Sequence, residues 1–413
     1  MIRVSSFFSL GLCDMSKPGL TNARIKHNQI SDKVRDLAPS GIRKFFNLLP
    51  SIEGVISLGI GEPDFVTPWH IREAAIHSLE KGHTMYTSNQ GLPELREELA
   101  KYIESHFALN YNPETELLIT VGVSEGLDLA LRAILNPGDE VILPDPCYVA
   151  YPACIHLAGG IPVLIPTSEK NDFKIKADDI EQKITPRTKA ILIGYPANPT
   201  GAVMSRQELL GIAELAKHHD LLVISDEIYG ALVYGIEHIC FATLPEMKEH
   251  TILLNGFSKA YAMTGWRIGY VAANPEIIGA MNKIHQYTML CASIMAQEAA
   301  IEALRKGSDE VDTMVAQYNQ RRRFMVKRLR DIGLSCFEPK GAFYVFPSIK
   351  ITGFTSEEFA EKLLTEEKVA VVPGSAFGQC GEGYIRCCYA TSLPEIEEAL
   401  KRMGRFVKKH RIV

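Results

Sequence analysis

Several features that mark large classes of protein are missing from this sequence. No apolar run approaches the roughly 20 residues that a membrane-spanning helix needs, and lysine and arginine form no basic block. The formal net charge is −5 over 413 residues, whereas proteins that bind nucleic acid concentrate positive charge against the phosphate backbone. We therefore predict neither a membrane nor a nucleic acid as a partner.

Paired cysteines and regularly spaced histidines are missing as well. The nine cysteines form no C-x-x-C pair and are odd in number, which is typical of free thiols in a reducing compartment. The twelve histidines include no H-E-x-x-H spacing, so no zinc site is indicated. These patterns predict a cytoplasmic protein without disulfides and without a bound metal.

The middle part of the sequence contains a series of β-branched apolar runs, each followed by an amphipathic segment. Alternation of this kind predicts an α/β fold with a mostly parallel sheet sandwiched by helices. Thr67 and Pro68 are typical of a helix start, with the Thr67 side chain as its cap, and Gly82 is typical of the end of that helix. The predicted strands are "LLITV", "EVILP", "IPVLIP", "KAILIGY", "LLVISD", "TILLNGF" and "IGYVAAN".

The pattern changes after a long helical stretch from about residue 275 to residue 334. Short strands and helices then alternate, which predicts a smaller α+β domain packed on the sheet domain. The first residues hold only a short apolar run without a cleavage pattern, so they predict an extension and not a signal. The predicted segments are a poorly ordered extension over 1–20, the N-terminal part of the small domain over 21–60, the large domain over 61–300 and the C-terminal part of the small domain over 301–413.

Four predicted strands end in residues that can carry chemistry. These are the glycine turn at 122–124 after "LLITV", Asn198 after "ILIGYPA", Asp226 after "LLVIS" and Lys259 after "TILLNGFS". Ligands of open α/β sheets bind beyond the carboxyl ends of the strands, so we expect these groups at one site. The amine of Lys259 could form an imine, and Arg267, eight positions later, could hold a dianion beside it.

The stretch from Gly122 to Gly126 allows two interpretations. It matches the G-x-S-x-G pattern of serine hydrolases, with Ser124 as the nucleophile and with Asp226 and His285 as candidate partners in chain order. It also matches a strand, a glycine turn and a helix whose free N–H groups bind an anion. The residues of this stretch alone leave both interpretations open.

A longer motif narrows the choice. The stretch "NGFSKAYAMTGWRIGY", residues 255–270, resembles the cofactor-lysine motif of the class I aminotransferases, the fold-type I enzymes that use pyridoxal 5′-phosphate. Five further motifs resemble the same family in the same order, and six ordered motifs are far more specific than one. They are "SLGIGEPDF" (57–65), "YTSNQGLPELREEL" (86–99), "YPANPTGAV" (195–203), "ISDEIYG" (224–230) and "YIRCCYATS" (384–392).

The resemblance implies roles for residues around the cofactor ring. Lys259 would hold the cofactor covalently and later transfer a proton, and Asp226 would pair with the pyridine nitrogen and keep it protonated. Tyr229 and Asn198 would hydrogen-bond the phenolic oxygen, and Tyr148 would stack on the ring face. Lys259, Asp226 and Tyr229 are therefore the predicted catalytic residues.

The resemblance also implies a phosphate site and a dimer. Arg267 and Ser258 would bind the phosphate, helped by the dipole of the following helix. Ser124 would then belong to an anion site. Tyr86 would reach the phosphate of the neighbouring subunit, which implies a homodimer with active sites at the interface. The backbone N–H groups expected at this phosphate are those of Gly122, Val123 and Ser124.

The substrate site follows from the same motifs. Arg386 would bind the α-carboxylate through a bidentate fork that a lysine cannot reproduce. Gly61 would let the backbone approach the same substrate, and Tyr148 and Asn198 would also contact it. No metal takes part in this site.

The implied activity is transfer of the amino group of an L-amino acid, of aspartate and/or aromatic type, to a 2-oxo acid such as 2-oxoglutarate. The mechanism would be ping-pong, through pyridoxal and pyridoxamine phosphate. A β-lyase or another reaction of the same cofactor is the alternative, because these reactions share deprotonation at Cα. Ser124 stands where many bacterial aspartate aminotransferases have a lysine that binds the distal carboxylate, which argues against strict aspartate specificity.

Overall fold

The computed structural model describes residues 29–35, 37 and 53–412. The predictions for the extension over 1–20 and for most of the segment over 21–60 lie outside these residues. The chain divides into two units, residues 1–37 and 38–413. In the first unit, the described residues form the short helix α1 (Asp32–Arg35), in which Arg35 makes an ion pair with Asp32 at 2.7 Å.

Strands in the second unit occur at all seven of the predicted apolar runs and in the C-terminal part. They are β1 (Ile56–Ser57), β2 (Leu117–Thr120), β3 (Glu140–Asp145), β4 (Ile161–Pro166), β5 (Thr188–Ile193), β6 (Leu222–Asp226), β7 (Thr251–Gly256), β8 (Gly269–Ala272), β9 (Tyr344–Val345), β10 (Val369–Ala370), β11 (Val372–Pro373) and β12 (Ile385–Cys388).

Seven of these strands form one sheet in the order β2-β8-β7-β6-β5-β3-β4. The strands from β4 to β7 in this order pair in parallel, and β8 runs antiparallel to both of its neighbours. Every residue of β2 and β3 is buried, as expected for strands covered on both faces. The predicted mostly parallel sheet is confirmed.

The helices of the second unit connect and cover these strands. They are α2 (Trp69–Glu80), α3 (Pro93–Phe107), α4 (Val123–Ile134), α5 (Ala150–Ala158), α6 (Ala177–Glu181), α7 (Arg206–His218), α8 (Met247–His250), α9 (Pro275–Thr288), α10 (Ile294–Lys306), α11 (Ser308–Asp331), α12 (Ser356–Glu367) and α13 (Leu393–His410). Within the described ranges, no helix combines the length and the apolar character that crossing a bilayer requires.

Helices pack on both faces of the seven-stranded sheet. Leu118 of β2 packs in an apolar cluster with α4 and α9. Its neighbours Leu117 and Ile119 pack in a different cluster with α2, α3 and α10. Successive side chains of a strand point to opposite faces, so the two clusters lie on opposite sides of the sheet. The predicted sandwich of helices around a sheet is confirmed.

The start of α2 differs from the prediction in one respect. The helix begins at Trp69 without a side-chain cap, and Gly82, with φ +77°, follows its end. The hydroxyl of Thr67 donates to the carbonyl of Ala262 at 2.6 Å and accepts from the indole N–H of Trp266 at 3.0 Å. The predicted Thr67 cap is wrong because these tertiary partners take the hydroxyl group.

Two small sheets bring the C-terminal part of the chain against residues 56–59. β1 pairs in parallel with β10, and β12 lies between β11 and β9 in a three-stranded antiparallel sheet. This pairing places the backbone that follows β1 next to β12. The limits of a large domain at 61–300 and of a small domain's C-terminal part at 301–413 remain predictions.

Candidate active site

Asp226 provides a buried carboxylate at the end of β6. Its side chain is held on both oxygens, because the Tyr151 hydroxyl donates to Oδ2 at 2.8 Å and the backbone N–H of Ile228 donates to Oδ1 at 3.2 Å. Burial raises the pKa of Asp226 to about 6, against the lowering effect of these hydrogen bonds. A carboxylate in this setting gains from a cationic partner, which would offset its desolvation.

Lys259 lies three residues beyond the end of β7, in the turn that follows this strand. Its Nζ donates to the carbonyl oxygen of Gly61 at 2.7 Å and lies 5.8 Å and 5.6 Å from the ring centroids of Tyr229 and Phe343. Burial lowers the pKa of Lys259 to about 8, and the positive charges of Arg386 and Arg267 act in the same direction. The amine is therefore neutral, and nucleophilic, for a substantial fraction of the time near pH 8.

An anion site lies between β2 and α4. Gly122 has φ +74°, and a Cβ on this residue would lie 2.6 Å from Nη2 of Arg267. The guanidinium of Arg267 therefore rests directly on the glycine turn, where its Nη1 also donates to the carbonyl of Thr264 at 3.1 Å. Val123 and Ser124 open α4, and the N–H groups of the first helical turn have no partner within the helix. The N–H of Gly122 already donates to the carbonyl of Thr120 at 2.8 Å, which argues against the predicted use of this N–H for an anion. The turn thus combines the N–H groups of Val123 and Ser124, the helix dipole and a guanidinium.

Arg386 is buried on β12, with 3% of its surface exposed. Its Nη1 donates to Oδ1 of Asn198 at 2.8 Å, and its Nη2 donates to the carbonyl of Gly59 at 2.8 Å. The guanidinium carbon lies 4.3 Å from the ring centroid of Tyr344 and 4.9 Å from that of Phe377. Its Nε is buried without a hydrogen-bond partner among the described residues. A donor left in this state is open to an acceptor supplied by a ligand.

Tyr229 and Tyr344 form a hydroxyl pair within this group. Their oxygens are 2.8 Å apart, and both side chains are buried. A Cβ on Gly61 would overlap the Tyr344 hydroxyl, so the backbone that binds Lys259 also touches this pair. The sequence motifs did not indicate a role for Tyr344, Phe343 or Gly59. The sequence signal for Tyr344 and Phe343 is the aromatic run "GAFYVFP", which comes before the predicted strand of Arg386. Gly59 stands in the motif over 57–65, which gave it no role.

The other predicted residues fall into two groups. Tyr148 is half-buried, and its ring contacts that of Tyr151 edge to face at 5.5 Å, close to Asp226. Ser258 is buried next to Lys259. Tyr86, in contrast, is 82% exposed on the surface and takes no part in the contacts described above.

The serine-hydrolase interpretation of Ser124 fails on geometry. His285 is fully buried, and its Nδ1 lies 2.6 Å from Oε1 of Glu125. The second oxygen of Glu125 accepts the backbone N–H of Val121 at 2.5 Å. Ser124 is exposed, and Asp226 binds Tyr151, so the three hydrolase candidates do not meet. Glu125 and His285 instead hold the glycine turn in place, and no motif marked them.

The comparison with known protein families tests the resemblance to the class I aminotransferases. The sequence profile of "Aminotransferase class I and II" matches residues 53–403. The chain belongs to this aminotransferase family. The resemblance inferred from six ordered motifs is therefore confirmed, and the chain is an enzyme of the aminotransferase type.

Individual aminotransferases resemble the chain over nearly its whole length. The protein YugH of Bacillus subtilis (strain 168) is 58% identical over 92% of this chain and 98% of its own. The aromatic-amino-acid aminotransferase 2 of Thermococcus litoralis is 46% identical over 93% of this chain and 100% of its own. The solved aspartate aminotransferase from Thermus thermophilus with maleate has a TM-score of 0.87 at 38% identity, over 91% of this chain and 99% of that one. These aminotransferases share the predicted fold-type I architecture.

Proposed function

We propose that this aminotransferase carries pyridoxal 5′-phosphate on Lys259 and transfers the amino group of an L-amino acid to a 2-oxo acid. The observation that carries the proposal is the half-buried Lys259, whose Nζ is held by the Gly61 carbonyl and whose pKa is lowered, subject to the charges of Asp226, Arg267 and Arg386. An amine, an acid and two guanidinium groups are what an aldehyde cofactor with a phosphate and a carboxylate substrate require.

The residues present fit this cofactor. Asp226 would hold the pyridine nitrogen in its protonated form, and Tyr229 and Asn198 would hydrogen-bond the phenolic oxygen, with Tyr148 against the ring. When bound, the cofactor supplies an electron sink that stabilises negative charge at the substrate Cα. The role of the protein is to place the acid, the amine and the phosphate site around it.

Lys259 has a second role as the proton carrier. Once the substrate amine has taken its place on the cofactor, Nζ would accept the proton from the substrate Cα and would later release it. A pKa of about 8 suits this role, because a group that titrates near the working pH both accepts and releases a proton readily. The carbonyl of Gly61, 2.7 Å from Nζ, orients the amine.

Arg386 would bind the α-carboxylate of the substrate. Its guanidinium is fixed by Asn198 and by the carbonyl of Gly59, and its buried Nε lacks a partner among the described residues. A guanidinium held this way presents a rigid fork, whereas a lysine would present a single flexible charge. The space of a Cβ on Gly61 is taken by the Tyr344 hydroxyl, and the backbone of Gly61 would approach the substrate beside this fork.

The phosphate would bind at the glycine turn, and the catalytic unit would be a homodimer. The N–H groups of Val123 and Ser124, together with Arg267 and Ser258, would form the anion site of one subunit, since the N–H of Gly122 is taken by the Thr120 carbonyl. Exposed side chains on the surface support the dimer, since large exposed apolar groups mark interfaces; Tyr86, Met85 and Tyr287 are 82%, 78% and 86% exposed. Tyr86 would reach the phosphate bound by the partner subunit.

Gly122→Ala should weaken binding of the cofactor by about tenfold or more, because the new Cβ would lie 2.6 Å from Nη2 of Arg267 and would displace a guanidinium whose hydrogen bonds to a charged phosphate contribute ~1.5–3 kcal/mol. Gly82→Ala is the matched control, since Gly82 has φ +77° and nothing within 4 Å of its Cβ position. Absorbance titration of the cofactor-free protein with pyridoxal phosphate gives both affinities. Equal affinities for the two variants would contradict the phosphate site.

Cofactor capture by the cofactor-free protein should depend on pH. Only the neutral amine reacts with an aldehyde, so the initial rate should rise with pH and level off above about 8, the lowered pKa of Lys259. Stopped-flow absorbance after mixing with pyridoxal phosphate measures this rate. A rate that keeps rising through 10.5, the ordinary pKa of a lysine, would show that burial does not act on this amine.

The donor is proposed to be aspartate, an aromatic amino acid or both, with 2-oxoglutarate as acceptor. The names of the relatives from Thermococcus litoralis and Thermus thermophilus support both classes, and Ser124 supports a broad preference. The cytoplasmic location remains a prediction from the cysteine pattern.

One experiment tests the proposed function directly. The absorbance of the holoenzyme should change to that of pyridoxamine phosphate when an amino acid is added, and should return when 2-oxoglutarate is added. A panel of donors then fixes the preference. Release of ammonia and pyruvate from cysteine derivatives, without dependence on a 2-oxo acid, would favour a β-lyase instead.

A further inference from the structure

We propose that Tyr344 is a positioning residue that links the substrate-carboxylate group Arg386 to the cofactor-oxygen group Tyr229. The inference rests on the proposed function and extends it to a residue outside the six motifs. Tyr344 has no role in the chemistry itself. The Tyr344 hydroxyl sets the direction of the Tyr229 hydroxyl proton. The Tyr344 ring contacts the guanidinium of Arg386.

Tyr344 occupies a central place among the site residues. It lies on β9 opposite Cys388 of β12, two residues after Arg386, and only 1% of its surface is exposed. Its ring face lies 4.3 Å from the guanidinium carbon of Arg386, a distance at which a cation and an aromatic ring attract each other. Its hydroxyl lies 2.8 Å from that of Tyr229.

Either oxygen of the hydroxyl pair could be the donor, and the proposed role requires Tyr344 to be that donor. A tyrosine hydroxyl has one proton to donate, and no other acceptor contacts Tyr344 Oη within the described residues. If Tyr344 donates to Tyr229, the single proton of Tyr229 stays free for the phenolic oxygen of the cofactor. Without the Tyr344 hydroxyl, Tyr229 would lose the donor that fixes its oxygen in this orientation.

Gly61 connects the pair to the lysine. A Cβ there would overlap the Tyr344 hydroxyl, so Gly61 and Tyr344 are in direct contact. The carbonyl of Gly61 accepts the hydrogen bond of Lys259 Nζ at 2.7 Å. Tyr344 therefore touches the residues that hold the amine, the cofactor oxygen and the substrate carboxylate. A substrate carboxylate bound to Arg386 would partly neutralise the guanidinium and weaken its attraction to the Tyr344 ring. The Tyr344 hydroxyl would then move relative to that of Tyr229.

The bound cofactor reports this linkage through the pH midpoint of its absorbance. Charged groups other than Tyr344 and Tyr229 also affect this pH midpoint, but they are the same in every variant compared. The titratable and charged groups that face Lys259 or Tyr344 are Glu62, Tyr148, Asp226, Arg267, Arg386 and Cys388, together with Tyr229.

The test is Tyr344→Phe in the holoenzyme, with Tyr318→Phe as the control. Tyr318 is fully buried, and its hydroxyl has no hydrogen-bond partner among the described residues. We expect Tyr344→Phe to raise the midpoint by about 0.5–1 pH unit, the size of one neutral hydrogen bond. Saturating maleate, a carboxylate without an amino group, should then move the midpoint by less than half of its effect on the wild type. Tyr318→Phe should match the wild type in both measurements.

A double-mutant cycle separates linkage from a general packing effect. Because Tyr344 is proposed to act through Tyr229, Tyr344→Phe should add nothing to the midpoint change of Tyr229→Phe. Additive changes, or a Tyr344→Phe midpoint equal to that of the wild type, would overturn the inference. If Tyr344→Phe does not fold, Gly61→Ala displaces the same hydroxyl and should raise the midpoint; an unchanged midpoint then overturns it. A wild type without any cofactor absorbance would instead overturn the proposed function.

Discussion

Lys259→Ala should reduce kcat for amino-group transfer by more than about 10³-fold, because the variant loses both the amine that holds the cofactor and the base that moves the Cα proton. Proton transfer by a positioned group alone contributes about 10²–10⁴-fold. The pyridoxal phosphate should remain bound through its phosphate, at the turn of Gly122 and Arg267, so the protein should still retain cofactor on a desalting column. Loss of turnover with retained cofactor separates the role of the lysine from that of the phosphate site.

The measurement is a coupled assay of 2-oxoglutarate-dependent turnover, together with borohydride reduction and peptide mass analysis. In the wild type, the cofactor mass should appear on the peptide that contains Lys259; in the variant, no lysine should carry it. Lys283→Ala, at an exposed position of α9, is the control and should match the wild type. A Lys259→Ala variant with near wild-type turnover would refute the mechanism.

Asp226→Asn should lower kcat by about 10³-fold, a loss typical of removing a preorganised electrostatic group from an active site. An amide cannot keep the pyridine nitrogen protonated, so the electron sink is weakened. The single oxygen of the asparagine can still accept from the Ile228 N–H, and its NH2 group can donate to the Tyr151 hydroxyl, which can turn to accept, so the fold should be maintained. The expected defect is thus in the chemical step, with a smaller change in KM.

Tyr151→Phe serves as the graded comparison for Asp226→Asn. It removes the hydrogen bond of 2.8 Å to Oδ2 but keeps the negative charge, so we expect a smaller loss of ~10- to 100-fold, the value of one hydrogen bond to a charged group. Single-turnover absorbance with an amino acid distinguishes the two variants. Equal losses in both would mean that the orientation of Asp226 matters more than its charge.

Much of the site could be predicted because it follows from the topology of a parallel sheet. Asp226 and Lys259 come directly after long β-branched runs, and the ends of parallel strands meet at one edge, so local patterns were enough to place them together. The glycine turn at Gly122 was also marked by its own residues. These features depend on strand order and backbone conformation, which the sequence pattern reflects.

Other parts of the site depend on contacts between distant segments, which no local pattern contains. In the sequence, Tyr344 is indistinguishable from an ordinary strand aromatic. Only the structure shows that its hydroxyl contacts that of Tyr229, 115 positions away. Thr67 fits every rule for a helix cap, yet its hydroxyl binds residues 195 and 199 positions away. The pair of Glu125 and His285 was likewise hidden, because a buried histidine on an apolar helix face has no distinctive spacing. Long-range partners override local preference at these positions.

The pairing of β1 with β10 has a consequence for how the chain is made. The guanidinium of Arg386 donates to the carbonyl of Gly59, 327 positions earlier in the chain. The proposed carboxylate site therefore joins the first and last parts of this unit. During synthesis from the N-terminus, the lysine and the carboxylate of the site emerge from the ribosome well before the arginine does. Contacts of such high sequence separation form slowly. Under the proposed function, a nascent chain would therefore acquire the groups that hold the cofactor before the group that holds the substrate.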